Sequence, residues 1–201
     1  ILTSLLAYVL LLFSFLFFFL LIPRPPRSTR FPYTTLFRSR KSEIKRLLPI
    51  ILEAAKNLKK QHPDIEFLLP LASTLSDEDI APHMNNNTLG IHVIKDNAFN
   101  VMNACDAIVT VSGTVTLEIA LIGTPLIIIN KVSWLTYLIV KRMIKIPYIG
   151  LCNIVANKLI AQEFIQKDAT PDKIATALSE LISDEVLNKT TREELGLIHQ
   201  L

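Results

Sequence analysis

The stretch of this chain best equipped for chemistry is Val111-Ser112-Gly113-Thr114, which leaves the apolar run Ala107–Val111 and opens a helix-like segment. In an open parallel sheet, ligands settle at the carboxyl ends of strands, where strand-to-helix loops present backbone N–H groups. Gly113 lets the backbone turn sharply and lets a ligand come close. The start of the following helix offers N–H groups and a partial positive charge, which suits a diphosphate. Glu118 lies one helical turn beyond Thr114 on the same face, within reach of ribose hydroxyls. The same residues serve equally well as a tight connection with a solvated Glu118, because such loops are common.

Other chemistries find little support. Cys105 and Cys152 stand far apart, without a C-x-x-C or a neighbouring His, so they read as reduced thiols and not as zinc ligands or a disulfide framework. His62, His83, His92 and His199 are scattered and read as structural or solvated side chains. The spacing implies no metal and no cofactor. Residues 1–40 carry five Arg and no acid, whereas residues 41–201 carry 16 Lys and Arg against 18 Asp and Glu. The positive charge thus belongs to the leader, and nucleic acid is not an expected partner.

The leader itself reads in two ways. Residues 1–22 carry no charge and are long enough to cross a bilayer as a helix. Arg24, Arg27 and Arg30 would then hold the rest of the chain in the cytoplasm. Phe31–Ser39, FPYTTLFRS, resembles translated sequencing adapter, however, and the chain opens on Ile1 with no Met before Met84. Residues 1–38 are therefore expected to be a non-native leader and are set aside from fold reasoning. Residues 40–201 are taken as one domain.

Within that domain the elements follow from periodicity. Ser42–His62 places Ile44, Leu47, Leu48, Ile51, Leu52, Ala55 and Leu58 at helical spacing. Ile65–Leu71 is a short apolar run, as expected of a strand covered on both faces. A short helix and a loop are expected over 73–88. Strands over His92–Ile94, Ala107–Val111 and Pro125–Asn130 then alternate with helices over Asn97–Ala104 and Thr114–Ile122. This rhythm implies βαβ units and a doubly wound parallel sheet of the α/β class. Ser133–Ile144 reads as helix, Leu151–Leu159 as loop, Gln162–Gln166 as a helical turn, Pro171–Ser183 as helix and Val186–Leu201 as a weaker terminal helix.

A series of motifs adds a family resemblance. Ser39-Arg40-Lys41 through Pro49 comes first, then Ser112-Gly113-Thr114-Val115-Thr116-Leu117-Glu118 and Gly123-Thr124-Pro125. Leu135-Thr136-Tyr137, Pro147-Tyr148, Asn153-Ile154 and Glu163-Phe164-Ile165-Gln166 follow in order. Over nearly all of residues 40–185 this resembles the C-terminal half of lipid-A-disaccharide synthase, a glycosyltransferase family with the GT-B fold. The resemblance implies inverting transfer of 2,3-diacylglucosamine from UDP to 2,3-diacylglucosamine 1-phosphate, at the cytoplasmic face of the bacterial inner membrane. It implies UDP contacts from Arg40, Ser112, Gly113, Thr114, Glu118, Asn153 and Lys158. No catalytic residue is assigned to this chain, because the family's acidic residues thought to act as base belong to an N-terminal domain missing here. The isolated chain is accordingly expected to keep part of the UDP site without catalysing transfer. Three departures from the family pattern stand out: Phe37-Arg38 in place of Pro-Gly, Cys152 in place of Pro and Asn157 in place of Gly.

Lys131–Tyr148 joins an apolar helix bearing Trp134 to the basic Lys141, Arg142 and Lys145. It suits burial against the missing domain, or contact with a membrane surface. Two alternatives remain. One is another UDP-sugar enzyme of the same fold, such as an N-acetylglucosamine epimerase or the peptidoglycan transferase. The other is a single-span membrane protein whose α/β domain binds a partner.

Overall fold

The computed structural model describes residues 18–23, 41–71, 75–84, 89–95, 97–134, 137 and 147–200. Its elements are β1 (Phe18–Pro23), α1 (Lys41–Gln61), β2 (Phe67–Leu71), α2 (Asp77–Met84), β3 (Ile91–Lys95), α3 (Ala98–Asn103) and β4 (Cys105–Val111). These are followed by α4 (Val115–Ile122), β5 (Leu126–Asn130), α5 (Leu151–Ala156), β6 (Gln162–Ile165), α6 (Pro171–Ser183) and α7 (Glu185–Gly196).

The strands form one sheet in the order β3-β2-β1-β4-β5-β6. β2 runs parallel to β3, and β4, β5 and β6 run parallel to one another. β1 is antiparallel to both of its neighbours, β2 and β4. The order is that of a doubly wound dinucleotide-binding sheet, here with its central strand reversed. The α/β class therefore holds, and the sheet is mixed rather than wholly parallel.

That reversed strand corrects the reading of the leader. A helix is expected over residues 1–22, yet Phe18–Pro23 pairs with β4 from Phe18 opposite Val111 to Pro23 opposite Cys105. A run that is apolar at every position carries no period to separate helix from strand. A sheet centre covered on both faces accepts just such a run. Residues 1–17 and 24–40, including Arg40, lie outside the described residues. No helix among the described residues is long and apolar enough to cross a membrane.

Elsewhere the apolar runs behave as read. Ala107, Ile108, Val109 and Val111 of β4 are wholly buried, as are Ile127–Ile129 of β5. α1 buries Ile44, Leu47, Leu48, Ile51, Ala54, Ala55 and Leu58. Its outer edge is tied to α6 by Asn57 Nδ2 donating to Asp172 Oδ1 at 2.8 Å. α6 begins with Pro171 behind the N-cap Thr170, and Asp184 caps α7 by accepting from the Leu187 N–H at 2.9 Å.

Two local expectations fail. Leu151–Leu159 contains helix α5, and Gln162–Gln166 contains strand β6 followed by a 3₁₀ turn over Gln166–Asp168. β6 exists because it pairs with β5, Ile127 opposite Gln162 through Asn130 opposite Ile165, a partner 35 residues away that no local pattern reveals. Of the helix expected over Ser133–Ile144, only residues 133, 134 and 137 are described, with the Tyr137 N–H donating to the Ser133 carbonyl at 2.9 Å.

Candidate functional site

The parallel strands β4, β5 and β6 end together, and their carboxyl edge is where a ligand would sit. Two chain segments meet there: the turn Ser112–Thr116 after β4, and residues 147–151 leading into α5. Side-chain hydrogen bonds lock them together. Ser112 Oγ donates to the Ile149 carbonyl at 2.5 Å. Thr116 Oγ1 donates to the Gly113 carbonyl at 2.7 Å and accepts from the Leu151 N–H at 3.0 Å.

Glu163, on β6, completes the lock from the other side. Its carboxylate accepts from the Ile149 N–H at 2.9 Å (Oε2), from the Gly150 N–H at 2.9 Å (Oε1) and from Asn153 Nδ2 at 2.8 Å. Three donors satisfy this half-buried carboxylate. Gly150 is wedged so tightly that a Cβ there would lie 2.2 Å from Ile128 Cδ1, so only glycine fits without displacing that side chain.

Asn153 is wholly buried and fully used. Its Nδ2 donates to the Ala161 carbonyl at 2.7 Å and to Glu163, while Oδ1 accepts from the Ile160 and Ala161 N–H groups, each at 2.9 Å. Two donors and two lone pairs are the whole capacity of a carboxamide. Asn153 therefore staples α5 to the start of β6.

The consequence for ligand binding is selective. The N–H groups of Ile149, Gly150 and Leu151 are all consumed, so that segment cannot cradle an anion. Within the turn after β4, the N–H groups of Thr116, Leu117 and Glu118 fold back onto the Gly113 and Thr114 carbonyls at 3.0–3.2 Å. Those of Gly113, Thr114 and Val115 have no partner among the described residues, at the N-terminus of an eight-residue helix. Thr114, the N-cap, makes no side-chain capping bond. That leaves a short row of donors at the positive end of the α4 dipole, a place suited to oxyanions, in which Thr114 is half-buried while Gly113 and Val115 are buried.

The predicted residues divide accordingly. Gly113 and Thr114 line the row, and Glu118 is exposed on the same helix. The left-handed glycines are Gly90 and Gly123, so the turn at Gly113 is made without positive φ. Ser112 is 1% exposed and its hydroxyl is spent on Ile149. Lys158 lies beyond α5 and pairs with Glu194 of α7, Nζ to Oε1 at 2.5 Å. Asn157, at the end of α5, takes φ 48, a left-handed conformation that Asn tolerates almost as glycine does.

The sequence pattern does not mark Thr116, Glu163 and Gln166 as site residues. Gln166 grips Val132 through both amide atoms, at 2.9 and 3.2 Å, fixing the chain after β5. A lone carboxylate in an otherwise half-buried strand is the one signal that marks Glu163, since such a group requires partners.

Cys152, under the Thr116 bridge, is a buried thiol whose pKa is pushed from the ordinary 9.0 up to about 12, first of all by loss of solvent. The unfolded thiol ionises first as pH rises, so this contribution to stability is full below about pH 9 and is lost progressively as pH rises from there to about 12. Iodoacetamide at pH 8 is expected to leave Cys152 unmodified in the folded protein and to alkylate it in denaturant. Equal rates in the two states would contradict this burial.

Comparison with known proteins sets this geometry in context. A family model described as Lipid-A-disaccharide synthetase matches residues 29–200. The lipid-A-disaccharide synthase of Trichlorobacter lovleyi is 53% identical over 162 residues, which is 81% of this chain and 42% of that protein. The chain thus spans about two fifths of the length of the curated relatives it matches. Among solved structures, an apo structure of OtsA aligns over 88% of this chain and 43% of its own, with a TM-score of 0.58 at 12% identity. The glycosyltransferase VinC in complex with DTDP aligns over 80% of this chain and 35% of its own, with a TM-score of 0.50 at 19% identity. At such identities these two show the fold alone: the Rossmann-like α/β domain found in GT-B glycosyltransferases.

Proposed function

The chain belongs to the lipid-A-disaccharide synthetase family, and we propose that it is the part of such an enzyme that binds a UDP-linked 2,3-diacylglucosamine donor. The observation that carries this reading is the unconsumed donor row at Gly113, Thr114 and Val115, beside a segment whose own amides are all spent. The diphosphate accepts from that row, and the Glu118 carboxylate accepts from the ribose hydroxyls. Asn153, Glu163, Ser112 and Thr116 act as positioning residues that keep the turn rigid. Arg40 and Lys158 remain the proposed basic neighbours of the nucleotide, the latter once it releases Glu194.

The reaction follows from the charge that develops. As the anomeric C–O bond breaks, negative charge grows on the departing diphosphate, and donors fixed in place before the event stabilise it without reorganising. The acceptor is 2,3-diacylglucosamine 1-phosphate, whose 6-hydroxyl attacks with inversion to give a β-1,6 linkage and UDP. The base that takes the hydroxyl proton is assigned to the family's N-terminal portion, and the share of the reaction assigned to these residues is binding of the donor.

Calorimetric titration with UDP is expected to show saturable one-to-one binding. Uridine, lacking the diphosphate, is expected to bind at least about tenfold more weakly, equivalent to 1.4 kcal/mol. Equal affinity for the two would remove the diphosphate from the site.

Part of the same proposal is peripheral attachment to the inner membrane from the cytoplasm. Its support is Trp134, 72% exposed on the segment that follows β5, since an exposed indole suits a bilayer interface. Trp134→Ala is expected to lower co-sedimentation with anionic vesicles several-fold. Unchanged sedimentation would assign Trp134 to protein contact instead.

A further inference from the structure

We propose that the Asn130 side chain is a direct ligand contact, its Oδ1 accepting a hydrogen bond from a hydroxyl or N–H of the bound nucleotide sugar; this rests on the donor-binding reading above. Asn130 is the last residue of β5, at the same carboxyl edge as the donor row. It is 5% exposed, and its Oδ1 is the one buried side-chain oxygen or nitrogen without a hydrogen-bond partner among the described residues. An unmet buried acceptor is costly, and native proteins keep one where something else comes to satisfy it.

The location says what comes. Strand alternation puts Asn130 on the same sheet face as Ile128, whose Cδ1 packs at Gly150, so the carboxamide lies on the face that carries the locked 149–151 segment. The last registered pair of β4 and β5 is Val111 opposite Ile129, and one step further Ser112 comes beside Asn130. The Ser112 hydroxyl is turned to Ile149 and does not serve the carboxamide. Asn130 thus borders the donor row. Its partner cannot be the diphosphate, which is ionised and offers no proton, so the partner is a donor group on the nucleoside or on the sugar.

The test uses the full chain with UDP and with UDP-N-acetylglucosamine, the latter adding sugar hydroxyls and an amide N–H. Asn130→Leu matches the shape while removing the acceptor. It is expected to melt at or above the parent temperature and to bind about three- to tenfold more weakly, the loss of one hydrogen bond. Weakening with both ligands places the partner on the nucleoside, and weakening with the nucleotide sugar alone places it on the sugar. Asn130→Ala adds no bulk and carries the same binding expectation should the Leu variant not fold. Parent binding with unchanged affinity in the variants overturns the role of Asn130 alone. A parent that binds neither ligand overturns the donor-binding reading and this inference with it.

Discussion

Replacing Asn153 with Ala is expected to cost about 3–5 kcal/mol of folding stability, the largest effect of any single change at the site. The truncation strips partners from the Ile160 and Ala161 N–H groups, from the Ala161 carbonyl and from the Glu163 carboxylate. Each buried group left unmet costs about 1–3 kcal/mol, less whatever water can enter. Glu163 would then hold Ile149 and Gly150 without its third donor, and the 149–151 segment would loosen against the turn after β4. Denaturant unfolding checks the size of the loss. A change below about 1 kcal/mol would mean that water replaces the carboxamide and that α5 is held by packing alone.

The second large effect separates binding from folding. Glu118→Ala is expected to weaken UDP binding about 10- to 100-fold, because hydrogen bonds to a charged group contribute about 1.5–3 kcal/mol. The side chain is exposed on α4, so unfolding free energy should stay within about 0.5 kcal/mol of the parent. Calorimetry with UDP reads the first quantity and a urea melt the second. Unchanged affinity would take the carboxylate away from the ribose and leave the amide row alone to hold the nucleotide.

These two residues show which parts of the molecule were legible in the sequence. Glu118 could be placed because helical spacing from Thr114 is a local property. β4 and β5 could be placed because Ala107–Val111 and Leu126–Ile129 are continuous apolar runs, the form of strands covered on both faces. A family motif marks Asn153 but not its work, because Ile160, Ala161 and Glu163 lie seven to ten residues away and meet it only after β6 has joined β5.

The failures share one physical cause. α5 is six residues long with no capping side chain, and β6 is four residues of mixed polarity, so neither carries enough periodic signal to declare itself. Both are fixed by tertiary bonds through Glu163 and Thr116. β1 failed in the opposite way, its uniform apolarity fitting helix and strand alike until β2 and β4 supplied edges to pair with. Asn157 shows the reverse economy, since an Asn reaches φ 48, a conformation that favours glycine, and closes the end of α5.

The most direct measurement is a two-dimensional ¹⁵N–¹H spectrum of the full chain recorded while UDP is added. The largest saturable shifts are predicted at the amides of Gly113, Thr114 and Val115, with those of Ile149, Gly150 and Leu151 moving little because Glu163 and Thr116 already hold them. Saturable binding whose shifts bypass residues 113–115, or no response to UDP at all, would contradict a diphosphate seat at the start of α4.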